Sequence, residues 1–325
     1  MTNTTTRDVH QEVTDRIVAA IERGTLPWQC DWLQGGLPRR ATGEQYRGIN
    51  LLLLGMVAAD RGYASPTWVT FNQAKALGGC VRKGERGSPV VFFKRLEKTE
   101  TAADGSEEVR GIPMLRAYTV FNVDQVDGLP TGYGAPAPIA LEPKARDLAA
   151  EAALRSSGAD IREDGGTRAY YSRRDDTIHL PAFDRFKDTG GFLATMTHEL
   201  VHWTGAPSRL DRTKGERFGD AAYAFEELVA EIGAAFTCAR LGVAGDHIES
   251  HAAYVANWLT VFRDDKRAIF RAAALAQSAA DRILHAHDGS GPIDTALTAI
   301  DATPGRMRQL AGCLGDAARQ PAFAF

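Results

Sequence analysis

The chain has few cysteines, no long apolar run and almost no net charge. Its four cysteines, Cys30, Cys80, Cys238 and Cys313, show no C-x-x-C spacing in 325 residues. That argues against a disulfide framework or a zinc knuckle and reads as free thiols in a reducing cytosol. The conspicuous apolar run at residues 51–56 is far short of the roughly 20 residues a membrane helix needs. The first twelve residues, MTNTTTRDVHQE, are polar and lack the apolar core of a secretory signal, so a cytoplasmic location is expected, without membrane partners. Composition is ordinary for a globular protein, 44% hydrophobic and 24% charged. The length exceeds that of a usual single core, so two domains are expected.

The net charge of −3 conceals an asymmetry. Residues 36–98 carry 11 Lys or Arg against 4 Asp or Glu, a local +7, which leaves −10 for the remainder. A basic segment in an acidic chain is the footprint of a nucleic-acid surface. Aromatics are interleaved with the cations, and that combination suits single strands, whose phosphates need cations and whose bases need flat faces. No helix-turn-helix or zinc-finger spacing is present, which disfavours sequence reading of duplex DNA. The candidate contacts are Arg39, Arg40, Arg47, Lys75, Arg82, Lys83 and Arg86, with Tyr46 and Trp68 as stacking residues. The competing reading is a solvated basic face over core aromatics. Phe92 and Phe93, adjacent in an apolar strand, cannot both face a ligand.

Residues 190–205, GGFLATMTHELVHWTG, hold the most informative pattern. Within them His198-Glu199-Leu200-Val201-His202 is an H-E-x-x-H motif. Side chains four apart on a helix share a face, so His198 and His202 can grip one zinc ion. Glu199 beside them can serve as a general base toward a water at an open metal position. Phe192, Leu193, Met196, Leu200 and Trp203 supply an apolar stripe, and Gly205 with Pro207 gives a stop signal. Two solvated histidines are the bland alternative.

A catalytic zinc commonly takes a third protein ligand. An H-x-x-G-x-x-H extension would put His at position 208, where the chain has Ser208. The other source is a glutamate on the helix expected over residues 223–236, YAFEELVAEIGAAF. Glu227 and Glu231 share one face of it, and Glu226 does not. Carboxylates on so apolar a helix are costly to bury unpaired, and a metal with a supporting contact to a ligand imidazole removes that cost. Glu227 is taken as ligand and Glu231 as its support, with the reverse assignment open. His247, His251 and His179 are weaker ligand candidates; His251 and Tyr254 could approach the site. A strand at residues 177–180 could hold a peptide along the cleft.

Periodicity places helices over residues 9–24, 51–60, 139–157 and 251–286, with a short one near 306–318. Residues 65–78 read as a strand or turn followed by a helix. Residues 90–93 and 115–123 read as partner strands with a polar loop at 99–108 between them. Residues 168–180 read as a hairpin. GLPTGYGAPAP, residues 128–138, is the clear break. The segments are therefore 8–128, a linker 129–138, 139–287 and a tail 288–325.

Taken together, TGEQYRGINLLLL, VRKGERGSPVVFF, YTVFNVDQVDGL, THELVHWTGAPSRLDR and YAFEELVAEIGAAF resemble the ArdC-type antirestriction proteins of conjugative plasmids. The first half also resembles a domain that accompanies TraC-type conjugative primases. The resemblance spans residues 8–287. It implies an α+β fold in two domains: an N-terminal single-stranded-DNA-binding domain and a C-terminal zincin-like metallopeptidase domain. It further implies Zn2+ (Mn2+ as the alternative) at His198, His202 and Glu227, an unknown protein or peptide substrate, and protection of incoming plasmid DNA from restriction. The alternative is a non-proteolytic coat for single-stranded DNA with a structural or vestigial metal. A primase accessory is weaker still, since no nucleotidyl-transfer carboxylate cluster stands out.

Overall fold

The computed structural model describes residues 8–28, 36–101, 107–133, 145–212, 221–243 and 252–288. The first helix, α1 (Val9–Glu22), begins at Asp8, whose carboxylate accepts from Gln11 N, and buries Val13, Ile17, Ala20 and Ile21. Helix α2 (Ile49–Arg61) ends at Gly62, which takes the left-handed conformation at φ 66°. A four-stranded sheet covers α2, in the order β1 (Arg39–Arg40), β2 (Thr67–Val69), β5 (Glu107–Asn122), β4 (Ser88–Thr101). The strand-then-helix reading of residues 65–78 holds. β2 is followed by α3 (Phe71–Ala76), whose Thr70 and Gln73 cap each other's backbone. β3 (Cys80–Val81) and β6 (Val126–Asp127) close a separate two-stranded ribbon.

The β4–β5 hairpin is longer than expected. Pairing runs unbroken from Ser88↔Val120 to Thr101↔Glu107, so residues 99–101 and 107–108 of the expected 99–108 loop are strand. Its polar composition hid it, because a strand is read from apolar alternation and these residues lack it. Residues 102–106 lie outside the described part.

In the second half, α4 (Leu148–Arg155) replaces the helix expected over 139–157. It starts where Asp147 accepts from Ala149 N and Ala150 N; residues 139–144 are not described. The 168–180 hairpin is present as β8 (Tyr170–Ser172) antiparallel to β9 (Thr177–His179), and β7 (Asp160–Arg162) adds to β9 in parallel. The order β7-β9-β8 puts β9 in the middle with both edges paired. Residues 177–180 therefore cannot add a peptide strand, contrary to expectation. Among the described residues four helices follow: α5 (Thr189–Thr204), α6 (Ala221–Leu241), α7 (Ala252–Asp264) and α8 (Ala268–Asp288). The single helix expected over 251–286 is broken at Asp265, whose side chain accepts from Arg267 N at 2.8 Å and turns the chain. His247, His251 and residues 306–318 lie outside the described residues.

The two halves share one interior. A continuous buried apolar cluster runs from Val13 and Leu52 through Trp68 to Phe192, Leu228 and Ile283. Trp28 lies edge-on to Trp258 at 5.5 Å, Thr14 donates to Lys266 O at 2.8 Å, and Gly48 N donates to Gln277. Arg47 pairs with Asp281, which also accepts from Arg240 at 3.1 Å. Leu129 and Tyr133, in the expected linker, pack on a small second cluster that includes Val69 and Val126. Among the described residues no helix is long and apolar enough to cross a membrane.

Helices α5 and α6 pack closely at Gly233. A Cβ there would lie 2.8 Å from a methyl of Val201, the residue before His202. Gly233→Ala is expected to push the helices apart and cost about 1–3 kcal/mol by overpacking, read as a lower urea midpoint.

Candidate metal centre

Helix α5 is fixed by its caps and its apolar stripe. Asp188 accepts from Gly191 N at 2.9 Å, and Phe192, Leu193, Met196 and Leu200 are fully buried. This packing turns His198 and His202 toward α6. Their Nε2 atoms converge to 3.1 Å. Glu227 reaches between them: one carboxylate oxygen lies 3.6 Å from His198 Nε2 and the other 3.5 Å from His202 Nε2. One donor atom from each of the three lies within 4.8 Å of the others. A tetrahedral cation about 2.0–2.1 Å from each donor spaces its ligands roughly 3.3–3.5 Å apart, so this donor set fits one small divalent ion. Burial raises the Glu227 carboxyl pKa, but its electrostatic and hydrogen-bonding interactions with His202 and His198 more than offset this and hold it well below the usual range.

Glu231 is fully buried one turn further along α6, with a carboxylate oxygen 4.0 Å from His198 Nδ1, on the ring's far side from Glu227. Glu199 is 8% exposed on the same helix as the two histidines. Tyr254 does come close. Its ring lies 6.0 Å from that of Tyr223, and burial followed by the negative charge of Glu227 pushes its hydroxyl up to about 12.

Sequence reasoning missed Glu226 and Arg212. Glu226 is off the Glu227–Glu231 face, yet its carboxylate stands 3.4 Å from His202 Nδ1. Arg212 donates to both Glu226 oxygens, at 3.1 and 2.9 Å, to Thr204 Oγ1 at 2.8 Å and to Val201 O at 2.5 Å. The guanidinium therefore ties Glu226 to the C-terminal turn of α5. Burial raises the Glu226 carboxyl, but His202 and Arg212 outweigh it and bring it to about 2. The signal available was the cost of burying a third glutamate on an apolar helix, which calls for a buried cation.

The basic half presents a different picture from the stacking expectation. Trp68 is 1% exposed and Tyr46 4%, so neither face can receive a base; both rings are spent on the core. Arg40 pairs with Glu44 at 2.7 Å and lies over Tyr46, and Arg39 donates to Thr67. Arg47 is held by Asp281. Arg82 pairs with Glu85 at 3.0 Å and Asp127 at 3.4 Å. Lys75, Lys83 and Arg86 are exposed, and among the described residues no carboxylate lies within ion-pair distance of them. Cys80 and Cys238 are free thiols; Cys30 and Cys313 are not described.

Two family models divide the chain. The N-terminal domain of anti-restriction factor ArdC matches residues 7–121, and a zincin-like metallopeptidase domain matches residues 148–275. The chain is 41% identical over 286 residues to the uncharacterized protein y4eC of Sinorhizobium fredii, across 85% of this chain and 92% of that one. It is 38% identical over 303 residues to the DNA primase TraC of Escherichia coli, across 85% of this chain but only 27% of the primase. The metal-free crystal structure of antirestriction ArdC from plasmid R388 superposes with a TM-score of 0.77 at 46% identity, covering 88% of this chain and all of that one. The Mn(II)-bound form gives 0.72 at 45% identity, over 86% and 98%. Fold and site thus define a two-domain protein in which an ArdC-type N-terminal domain precedes a zincin-like domain. The chain belongs to the ArdC antirestriction family.

Proposed function

We propose that this chain is a cytoplasmic antirestriction protein that binds single-stranded DNA through its N-terminal half and hydrolyses a peptide bond at a metal site in its C-terminal half, so protecting incoming plasmid DNA from host restriction. The convergence of His198, His202 and Glu227 on one point carries the reading. These residues would hold a divalent cation, Zn2+ or, as in the R388 relative, Mn2+. Bound there, the cation supplies Lewis acidity and lowers the pKa of a water to about 7. Glu199 is the proton acceptor, Glu226 orients the rear nitrogen of His202 at 3.4 Å, Glu231 stands 4.0 Å behind that of His198, and Tyr223 and Tyr254 stand beside Glu227. With β9 enclosed, the edge strand that packs beside α5 is β8, and its outer side would take an extended peptide.

A second reading has its own support. The exposed cations Lys75, Lys83 and Arg86 sit on elements that carry no metal donor, so the chain could shield DNA as a coat without proteolysis. The overall proposal is tested by plasmid transfer into a restricting host, with metal analysis of the purified protein. Wild type should raise transfer and hold a divalent ion that His202→Ala loses, at a cost of at least about tenfold in metal affinity. No gain in transfer with wild type, or equal metal in both proteins, overturns it.

A further inference from the structure

With Tyr46 and Trp68 buried, the exposed aromatic surface of the basic half lies elsewhere. Phe71, the first residue of α3, is 56% exposed. A single exposed phenylalanine is unremarkable, but this one is held in a defined setting. The mutual cap of Thr70 and Gln73 fixes the backbone on one side of it. On the other, Val69 pairs with Phe121 across β2 and β5. The Phe121 ring meets Phe71 edge-on at 6.5 Å and is only half-buried. Beyond Phe121 comes the backbone of Gly87, where a Cβ would lie 3.0 Å from the tip of the Phe121 ring and 2.3 Å from Thr119. Gly87 follows Arg86 directly, and Lys83 lies in the Arg82–Glu85 turn just before it. Lys75 lies one helical turn from Phe71, on the same face of α3. The segments that flank this aromatic pair thus carry three exposed cations, Lys75, Lys83 and Arg86, with no carboxylate within ion-pair distance among the described residues.

We infer that Phe71, backed by Phe121, is a base-stacking platform for single-stranded DNA, and that Lys75, Lys83 and Arg86 hold the phosphates on either side of the stacked base. The inference rests on the reading that this half of the chain binds single strands. A base offers a π-face that a phenylalanine ring can stack on whatever the sequence, and the cations match the charge of the backbone that brings it there. The cap and the strand pair already fix the backbone on both sides of Phe71, which lowers the ordering cost that offsets the stacking.

The test is a fluorescence-anisotropy titration of the full chain with labelled oligothymidylate over a series of salt concentrations. Phe71→Ala should weaken binding roughly 5- to 150-fold, with the slope of log K against log salt unchanged. Phe71→Leu keeps the apolar contact with Phe121 but lacks a π-face, and should lose affinity comparably. Phe71→Trp should retain binding, with its indole emission quenched by DNA. Lys83→Ala and Arg86→Ala should each flatten the salt slope by about 0.7. On an oligonucleotide of abasic sites, wild type and Phe71→Ala should bind alike. If wild type binds oligothymidylate and Phe71→Ala binds equally well, the platform is refuted while DNA binding stands. If wild type does not bind at any salt, the reading beneath it fails as well.

Discussion

Glu199→Gln is expected to lower peptide hydrolysis by about 10²–10⁴-fold, the range for loss of a positioned general base, while metal content and DNA affinity stay at wild-type levels. Glu199 contributes no donor atom to the cluster of His198, His202 and Glu227, so the cation site survives the change. The amide is close in size to the carboxylate, so α5 should keep its packing. What disappears is a proton acceptor one residue from the first metal donor. Protein or peptide turnover by wild type and variant measures the loss directly. Plasmid transfer into a restricting host then separates the two readings of function. Protection that falls with turnover ties antirestriction to proteolysis, and protection that persists assigns it to the DNA-coating half. Variant turnover equal to wild type would remove Glu199 from the mechanism.

Arg212→Ala is expected to cost about 3–5 kcal/mol of stability, the range for removing one partner of a buried ion pair. The guanidinium is 7% exposed and serves Glu226, Thr204 and Val201 together. Its loss strands a carboxylate that is itself 4% exposed. Because folding lowers the Glu226 pKa to about 2, the pair's contribution is complete above the ordinary glutamate range and fades as pH falls toward 2. The variant's deficit should therefore be full at neutral pH and shrink in acid. Since Glu226 also faces His202 Nδ1, metal affinity should drop by about 10–100-fold, as for other groups that orient a ligand imidazole. Urea unfolding at two pH values, with a chelator competition, measures both effects. An Arg212→Ala protein as stable as wild type would place the pair among the many that contribute nothing.

The metal motif was legible because a helix repeats every 3.6 residues, and two histidines four apart need no tertiary information to share a face. The same arithmetic selected Glu227 and Glu231 on α6. It discarded Glu226, since helical phase says nothing about a second helix alongside. Only the packing at Gly233 shows that His202 overlaps both faces. Arg212 sits after α5 in a loop, where periodicity is silent. Aromatic placement failed for a related reason. Trp68 and Phe71 are three residues apart in similar surroundings, yet strand pairing sends the first into the core and a helix cap leaves the second outside. The break at Asp265 was readable from the Asp-Asp pair before Lys266, but the strong apolar spacing on either side masked it.

Because α1 rests on α7 and α8, and Arg47 reaches across to Asp281, neither half owns a complete interior. Thermal stability is then a property of the whole body. A cation captured between α5 and α6 stabilises the folded chain by RT ln(1 + [L]/Kd), and the distant β4–β5 ribbon draws on that same reserve although it touches no ligand of the ion.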